Sequence, residues 1–501
     1  MMLLGIDIGT TGVKALLFDT SRKNYHFAQQ NYDLIFPKPN YVEQDPHQIW
    51  KATKQVIREV TRKAGDRVDV TSLSLSSQGG TLIPLGKDGK PLYNAIVWMD
   101  HRPGDETVKL REKFGDDFFY LKTGWRLAGC LPLLQICWLK EKRPSLFKKI
   151  DKFAFVGDYI TYNISGEWVI DPSSAAITML YNLRRGSWDE ELLEIADISE
   201  DQLPEIMESG EVAGHVLPCL RNELGFSDGE SIVSNGGHDQ YCASLGAGAL
   251  REGDLLLSGG TAWVLLFTLN RLIFDTESYL SPGRHVVRGR WGLLSSIPAG
   301  GAGMNWFKTN WSYFLKEKLD DKEFFSELEN RSRDVPAGCN GLFFFPHFVG
   351  SSAPTWETRS RAVIFGLGLH HDPAQIFKAL LEGVGFEVLW NIKTFESFGV
   401  NVKSVSMIGG ATKSSIWPQI ISDMLNLPIK IPRIQEAACL GAAILAGVGA
   451  QIFHDCQEGA EQLISDVSFI YPDEKNAKEY KALFLSYQKI FWKLREAFIE
   501  R

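Results

Sequence analysis

The chain has 501 residues, so we expect about two to four domains, each large enough to bury its own core. Hydrophobic residues make up 44 % and charged residues 23 %, as in soluble globular proteins, and the net charge of −8 argues against a nucleic-acid binder held by bulk charge. Seven scattered cysteines without a C-x-x-C pair favour a cytoplasmic protein without a disulfide framework. No basic region precedes Asp7, so the N-terminus does not predict a signal peptide.

The N-terminal stretch 3–19 predicts a β-hairpin, because two apolar runs flank a polar turn at 9–12. Glycines let the backbone approach a ligand, and successive N–H groups form a concavity that binds anions. Asp7, at the end of the first strand, can lie beside phosphates only if a cation separates them, and Lys14 adds positive charge. An ordinary Thr-rich turn is the alternative for this stretch alone. The pattern G-x-x-x-x-G-K-[ST] of a P-loop is absent.

The next segments predict a helix and several strands. Asp45 can cap a helix that begins at Pro46. Strands over 70–76, 81–85 and 95–99 end in polar or glycine residues. Ligands gather at the carboxyl ends of strands in open α/β sheets, so these ends are candidate binding positions.

Residues 232–250 contain the strongest candidate for catalysis. A short strand at 232–234 is expected to lead into an acidic turn at 236–240 and then a helix over 241–250. Two glycines permit a sharp turn with room for a ligand, and the carboxylate of Asp239 can accept a proton from an attacking hydroxyl. The alternative is that Asp239 caps the helix. His238 is expected to pack or to hydrogen-bond locally.

The second half repeats the opening pattern. Residues 255–269 predict another hairpin around the Gly-Gly-Thr turn 259–261, and a third glycine turn at 409–411 follows a strand and precedes a helix. Two hairpins, one opening each half, predict two related domains that hold a nucleoside triphosphate between them. The charge-free stretch 437–453, between Glu436 and His454, predicts a buried helix rather than a membrane span. The amphipathic stretch 477–500 predicts a helix docked on the protein.

The order and spacing of these motifs resemble the FGGY family of carbohydrate kinases over almost the full length, particularly its xylulokinase-like members. The segments that carry the resemblance are Asp7–Lys14, Trp98–Arg102, Gly236–Gln240, Ser258–Thr261, Pro346–Gly350 with Pro354, and Gly409–Ala411 with Ser414.

The resemblance implies an α/β protein with the actin-like ATPase fold, in which two ribonuclease-H-like domains enclose a nucleotide cleft. Residues 1–246 would form the N-terminal domain, which binds sugar and phosphate, and residues 247–501 the C-terminal domain, which binds the adenine nucleotide. ATP and Mg²⁺ are the implied cofactors, with Asp239 as general base and Asp7 near the metal.

The resemblance also implies site residues. The nucleotide-binding candidates are Thr10, Thr11, Gly12, Lys14, Gly260, Thr261, Gly301, Asn305, Gly410, Ala411 and Ser414. The candidates for substrate contact are Gln78, Gly79, Gly80, Asp100, Asp239 and Gln240.

Two positions depart from the family pattern. Gln135 stands where the family usually has lysine, and Gly79 and Gly80 stand where typical xylulokinases have methionine and histidine. The paired glycines predict a wider sugar pocket. Such a pocket would suit another pentulose, a deoxyhexulose such as fuculose, or a polyol.

The leading hypothesis is therefore ATP-dependent phosphorylation of a sugar hydroxyl in carbohydrate catabolism, with a xylulose-like pentulose favoured. An actin- or chaperone-like ATPase without a sugar substrate, and a sugar-binding regulator that has lost catalysis, are the alternatives. The expected partners are a small-molecule sugar and ATP, without nucleic acid or membrane, and a homodimer is left open.

Overall fold

The computed structural model describes residues 1–65, 67–311, 320–464 and 466–499. Its two lobes are each built on a mixed β-sheet.

The first lobe is formed by the first half of the chain. Its strands are β1 (Met2–Ile8), β2 (Gly12–Asp19), β3 (Asn24–Asn31), β4 (Glu43–Gln44), β5 (Val70–Ser77), β6 (Leu82–Leu85), β7 (Ala95–Ile96), β8 (Lys152–Phe155), β9 (Val169–Ile170), β10 (Tyr181–Asn182), β11 (Ser187–Trp188), β12 (Glu205–Ile206), β13 (Val212–His215) and β14 (Ile232–His238). Its helices are α1 (Pro46–Ala64), α2 (Gly104–Phe114), α3 (Asp116–Thr123), α4 (Pro132–Lys142), α5 (Pro144–Phe147), α6 (Val156–Ser165), α7 (Pro172–Ala176), α8 (Glu190–Ala196), α9 (Pro218–Leu224) and α10 (Asp239–Gly246).

The second lobe follows from residue 254. Its strands are β15 (Asp254–Gly259), β16 (Trp263–Leu269), β17 (Ser281–Arg284), β18 (Trp291–Ile297), β19 (Phe343–Phe345), β20 (Val363–Phe365), β21 (Ser404–Ile408), β22 (Ile429–Pro432) and β23 (Val467–Ile470). Its helices are α11 (Ala302–Trp311), α12 (Asp321–Ser332), α13 (Pro373–Glu396), α14 (Trp417–Leu425), α15 (Ala437–Gly449), α16 (Cys456–Leu463) and α17 (Glu474–Ile499).

The two main sheets share one pairing pattern. The first has the order β13-β14-β5-β1-β2-β3, with β1 antiparallel to β2 and parallel to β5. The second has the order β17-β18-β16-β15-β21-β22-β23, with β15 antiparallel to β16 and parallel to β21. Both predicted hairpins are thus confirmed, and each lies in the interior of its own sheet, with strands paired on both sides.

Local sequence signals explain several boundaries. The side chain of Asp45 accepts a hydrogen bond from the backbone N–H of His47, and Pro46 occupies the first turn of α1, as predicted. The long helix α13 begins with a reciprocal capping box between Asp372 and Gln375. The apolar stripe of α17 docks on the second lobe, where four of its aromatic residues are buried.

The segment before Asp239 differs from the prediction. Strand β14 continues to His238, with an irregular register against β5 between Ser234 and Gly237, so the expected turn at 236–240 is absent. A Cβ atom on Gly236 would lie 1.7 Å from the carbonyl oxygen of Leu75, so this glycine serves close contact between strands. Helix α10 starts at Asp239 with His238 as its N-cap, and the expectation that Asp239 caps the helix is wrong.

Helices α10 and α15 lie between the two sheets and share one apolar core with both. That core includes Leu3 and Leu16 from the first sheet and Leu256 and Leu266 from the second. Close packing depends on glycine, because a Cβ on Gly5 would lie 1.8 Å from the carbonyl oxygen of Cys439 in α15. The charge-free stretch 437–453 therefore contains a buried helix, as predicted. Within the described ranges, no helix combines the length and hydropathy that crossing a membrane requires.

Candidate active site

The turn at 9–12 is held by side chains from distant parts of the first lobe. Its ends are joined by the hydrogen bond from Gly9 N–H to Gly12 C=O, at 2.9 Å. The hydroxyl of Tyr32 donates to the carbonyl of Gly9, and the amide of Gln44 donates to that of Thr10. The indole N–H of Trp98 donates to the Thr10 hydroxyl at 2.9 Å. These contacts fix the turn before any ligand is bound.

Asp7 lies in a small group of charged and polar residues at the end of β1. It stands opposite Lys14 in the hairpin register, and its Oδ1 accepts a 2.8 Å hydrogen bond from Ser76 Oγ on β5. Burial and the nearby Asp239 carboxylate raise the pKa of Asp7 to about 6, against the lowering effects of Ser76 and Lys14. Two carboxylates that destabilise each other in this way provide a favourable position for a cation.

This donor set fits Mg²⁺. The ion usually binds to proteins through one or two carboxylates, and completes its coordination with waters and substrate phosphates. Asp7 offers a carboxylate on the strand that leads into the turn at 9–12, which the sequence predicts to bind phosphate. Among the described residues no cluster of three or more acidic, histidine or cysteine side chains forms a complete metal site, so phosphates would have to supply the remaining ligands.

Asp239 is the first residue of α10, and its side chain is 29 % exposed. Burial raises the pKa of Asp239 to about 6, although hydrogen bonds from Gln240 oppose the shift. The raised pKa makes Asp239 a better proton acceptor than an ordinary aspartate while leaving it ionised at neutral pH. The arrangement can therefore accept a proton from a hydroxyl group held in front of it.

His238 caps the N-terminus of α10 and is itself held by hydrogen bonds. Its backbone N–H donates to Ser173 Oγ at 3.0 Å, and its Nδ1 accepts from the backbone N–H of Gln240 at 3.3 Å. Ser173 in turn donates to the buried carboxylate of Asp171 at 2.8 Å. Burial lowers the pKa of His238 to about 4, so the ring is neutral at physiological pH. Sequence reasoning missed this support, because Ser173 and Asp171 belong to no recognisable motif.

The loop 78–80 is linked through Gln44 to the turn at 9–12, and it also lies against His238. The amide of Gln78 donates to Gln44 Oε1 at 3.0 Å, so it is linked through Gln44 to the turn at Thr10. A Cβ on Gly79 would lie 2.3 Å from Cδ2 of His238. The expected wider pocket is therefore wrong at position 79, because the imidazole already fills the space that a side chain would take.

The side chains of Asp100 and Gln135 are both fully buried in the first lobe. The carboxylate of Asp100 accepts hydrogen bonds from Arg102 and from the backbone N–H of Val42, and Arg102 also pairs with Glu43. Substrate contact by Asp100 stays a prediction, and it would require these partners to be exchanged.

The amide nitrogen of Gln135 approaches three backbone carbonyl oxygens, those of Cys130 at 2.9 Å, Val97 at 3.4 Å and Gly80 at 3.5 Å. Gln135 thus joins the loop 78–80 to the segment before α4. A lysine ammonium group has three donors for such a triad, whereas the amide has two and leaves its own Oε1 without a hydrogen-bond partner.

The glycine turns of the second lobe are packed against each other through their backbones. The N–H groups of Gly301 and Ala302 donate to the carbonyl of Thr261 at 3.0 and 2.9 Å. A Cβ on Gly301 would lie 2.0 Å from the carbonyl oxygen of Gly260. On the other side, a Cβ on Gly259 would lie 2.6 Å from that of Ala411. These contacts leave an exposed strip of backbone at 260–261.

The other candidates of the second lobe surround this strip. Asn305 is exposed on α11, and Gly410 is exposed at the start of the short 3-10 segment before α14. Ser414 has a structural partner, since its Oγ accepts a 3.0 Å hydrogen bond from the backbone N–H of Trp417 at the start of α14. The structure thus gathers the predicted residues into two groups, one in each lobe.

A cleft of about 610 Å³ lies between the lobes. It is lined from the first lobe by residues 125–131 and from the second by residues 294–296 and 352–358. On its wall the guanidinium of Arg126 lies over the rings of Tyr279 and Trp356, 4.5 and 5.0 Å from their centroids. The sequence did not point to this cleft, because its lining residues come from five separate segments without a motif.

Comparisons with known proteins cover nearly the whole chain. The model of the N-terminal domain of the FGGY family of carbohydrate kinases matches residues 2–246, and that of the C-terminal domain matches residues 255–450. The chain is 30 % identical over 490 residues to the xylulose kinase of Bacillus subtilis (98 % of this chain, 96 % of that protein). It is 30 % identical over 468 residues to the glycerol kinase of Thermococcus kodakarensis (92 % and 90 %).

Solved structures give the same picture. The gluconate kinase from Lactobacillus acidophilus matches with a TM-score of 0.91 at 26 % identity, covering 100 % of this chain and 99 % of that chain. Matches of this kind confirm the actin-like ATPase fold predicted from the sequence.

Proposed function

The chain belongs to the FGGY family of carbohydrate kinases, and we propose that it transfers the terminal phosphate of ATP to a hydroxyl of a small polyhydroxy acceptor, with Asp239 as general base. The observation that carries this proposal is the position of Asp239. Its carboxylate, with a pKa raised to about 6, begins a helix between the lobes and neighbours the end of the phosphate hairpin.

The turns at 9–12 and 259–261 hold the phosphate chain from opposite lobes through backbone N–H groups and threonine hydroxyls. Asp239 accepts the proton of the attacking hydroxyl as the phosphoryl group moves to its oxygen. Mg²⁺ held by Asp7 and the phosphates would neutralise charge on the transferring group.

The remaining nucleotide contacts are assigned to the second lobe. We place the adenosine against Gly410, Ala411 and Ser414, with Gly301 and Asn305 near the phosphates. For the domains we propose the same division as from the sequence, 1–246 and 247–501. A cytoplasmic location also belongs to the proposal, and it is supported by seven free thiols.

The favoured acceptor is a pentulose. The relatives named above are, by their names, kinases of xylulose, glycerol and gluconate, so an acyclic polyol or a sugar acid are the competing acceptor classes. The wall formed by Gly79 and His238 supports a compact acceptor over one with a bulky substituent at that point.

The test is the variant Asp239→Asn in an assay that couples ADP release to acceptor addition. Loss of a positioned general base costs about 10²–10⁴-fold in turnover, so we expect a loss of that size with acceptor binding and ADP affinity preserved. Wild-type protein should release ADP only when an acceptor from a panel of pentuloses, hexuloses, polyols and aldonates is present. Turnover retained in Asp239→Asn would contradict the assignment of the base.

A further inference from the structure

His238 has an unused hydrogen-bond donor beside Asp239. The ring is buried, with 6 % of the residue exposed, and its Nδ1 accepts from the backbone N–H of Gln240. A neutral imidazole that accepts at Nδ1 carries its proton on Nε2. Among the described residues, this Nε2–H has no hydrogen-bond partner.

The position of the ring is fixed from three sides. The backbone N–H of His238 is bound by Ser173, and the ring packs edge-on against Tyr241, 5.8 Å between centroids. A Cβ on Gly79 would lie 2.6 Å from Nε2, so the edge that bears the free proton faces the loop 78–80. The ring therefore lies between that loop and Asp239, because Nδ1 on its other side is 3.2 Å from Asp239 Oδ1.

We propose that the Nε2–H of His238 donates a hydrogen bond to an oxygen of the acceptor next to the hydroxyl that Asp239 deprotonates, and that His238 thereby selects the acceptor. The inference rests on the proposed function and extends it. It predicts an acceptor with a hydroxyl or carbonyl oxygen adjacent to the phosphorylated position, and discrimination against analogues that lack this oxygen. Gly79 has the matching role, since the absence of a side chain admits the ring.

Two substitutions separate this role from support of the helix. In His238→Asn the side-chain oxygen can still accept from Gln240 N–H and cap α10, but the long edge of the ring is lost. In His238→Gln the amide nitrogen reaches close to the position of Nε2 and can restore the donor. His238→Asn therefore keeps the helix cap and removes the donor, whereas His238→Gln restores the donor. Comparing the two variants separates these two roles of His238.

The measurement compares the best wild-type acceptor with its series of single-deoxy analogues. We expect His238→Asn to lower kcat/KM for the parent acceptor by about 10–100-fold, mainly through KM, and to abolish discrimination against one analogue. His238→Gln should recover most of both, and the KM for ATP should stay within about 2-fold. Unchanged discrimination in His238→Asn, or an equal loss for all acceptors together with weaker ATP binding, would overturn the proposal.

Gly79→Ala supplies an independent test with the histidine intact. Its Cβ should displace the ring and reduce discrimination in the same direction, whereas Gly104→Ala, which adds a Cβ in open space, should not. In the background of His238→Asn the cost of Gly79→Ala should disappear, because the shorter side chain makes room. Additive losses in the double variant would contradict the contact.

Acceptor binding followed by calorimetry separates the two proposals. If wild-type protein binds acceptors with His238-dependent discrimination but transfers no phosphate, the proposed function fails and the selection by His238 stands. If phosphate is transferred without any such discrimination, the function stands and the role of His238 is overturned. A protein that binds no acceptor overturns both.

Discussion

The two hairpins have the same topology but are built with different chemistry. In the first, Asp7 and Lys14 form the cross-strand pair next to the innermost one, and side chains of Tyr32, Gln44 and Trp98 hold the turn. In the second, the equivalent pair is Ser258 and Val264, and the turn is held by neighbouring backbone.

The difference indicates a division of labour between the lobes. In the proposed function, the charged hairpin attracts a cation and compensates charge during phosphoryl transfer, whereas the neutral one offers backbone N–H groups to the nucleotide. Substitutions in the first should therefore change the rate of the chemical step, and substitutions in the second should change the binding of nucleotide.

The largest effect is expected for Asp7→Asn. Removing the carboxylate that we assign to the cation should lower kcat by about 10²–10³-fold, because charge on the transferring group is then poorly compensated. Ser258→Ala, at the equivalent position of the other hairpin, should change kcat by less than about 3-fold. The two kcat values are measured by steady-state kinetics at saturating ATP. An equal decrease in kcat in both variants would contradict the distinction between the hairpins.

For Gly301→Ala we expect a smaller decrease in kcat than for Asp7→Asn, but a larger loss of nucleotide affinity. The new Cβ would lie 2.0 Å from the carbonyl oxygen of Gly260, so the turn must shift. We expect the KM for ATP to rise by about 10-fold and the free energy of unfolding to fall by about 1–3 kcal/mol. The matched control is Gly104→Ala, and an unchanged KM for ATP would show that the turn at 260–261 does not contact nucleotide.

The smallest effect concerns stability without ligands. Burial raises the pKa of both Asp7 and Asp239 to about 6 from an ordinary value of 3.8. A raised pKa means that the folded state holds its proton more tightly than the unfolded state, so the stabilisation is present below pH 3.8 and is lost as pH rises through about 6. The free energy of unfolding should therefore fall over this window, and Asp239→Asn should reduce the fall.

Denaturant titrations between pH 4 and 8 measure this effect. Asp228→Asn is the control, because its side chain is 97 % exposed, and its profile should run parallel to that of the wild type. A steeper fall in Asp239→Asn than in the wild type would contradict the coupling between the two carboxyl groups.

The sequence predicted features that depend on neighbouring residues better than features that depend on contacts between segments far apart in the chain. Both hairpins follow from apolar runs around glycine, and the cap of α1 follows from adjacent Asp45 and Pro46. The strand up to His238 was missed, since Gly236 and Gly237 have the composition of a turn. In the structure Gly236 packs against the backbone of β5 at Leu75, and Gly237 against the side chain of Val286. The wider pocket was wrong for a related reason: a missing side chain leaves space only if nothing else enters it.

The buried position of α15 between the two sheets affects how the chain folds during synthesis and which fragments of it can fold. This helix belongs to the C-terminal half of the chain, yet it packs directly on β1, where Gly5 admits the carbonyl oxygen of Cys439. A fragment ending at residue 246 would expose the apolar face of its own central sheet and is expected to aggregate. The first lobe can therefore be completed only after nearly the whole chain has left the ribosome, and permutation or fragment complementation should succeed only where this helix is supplied.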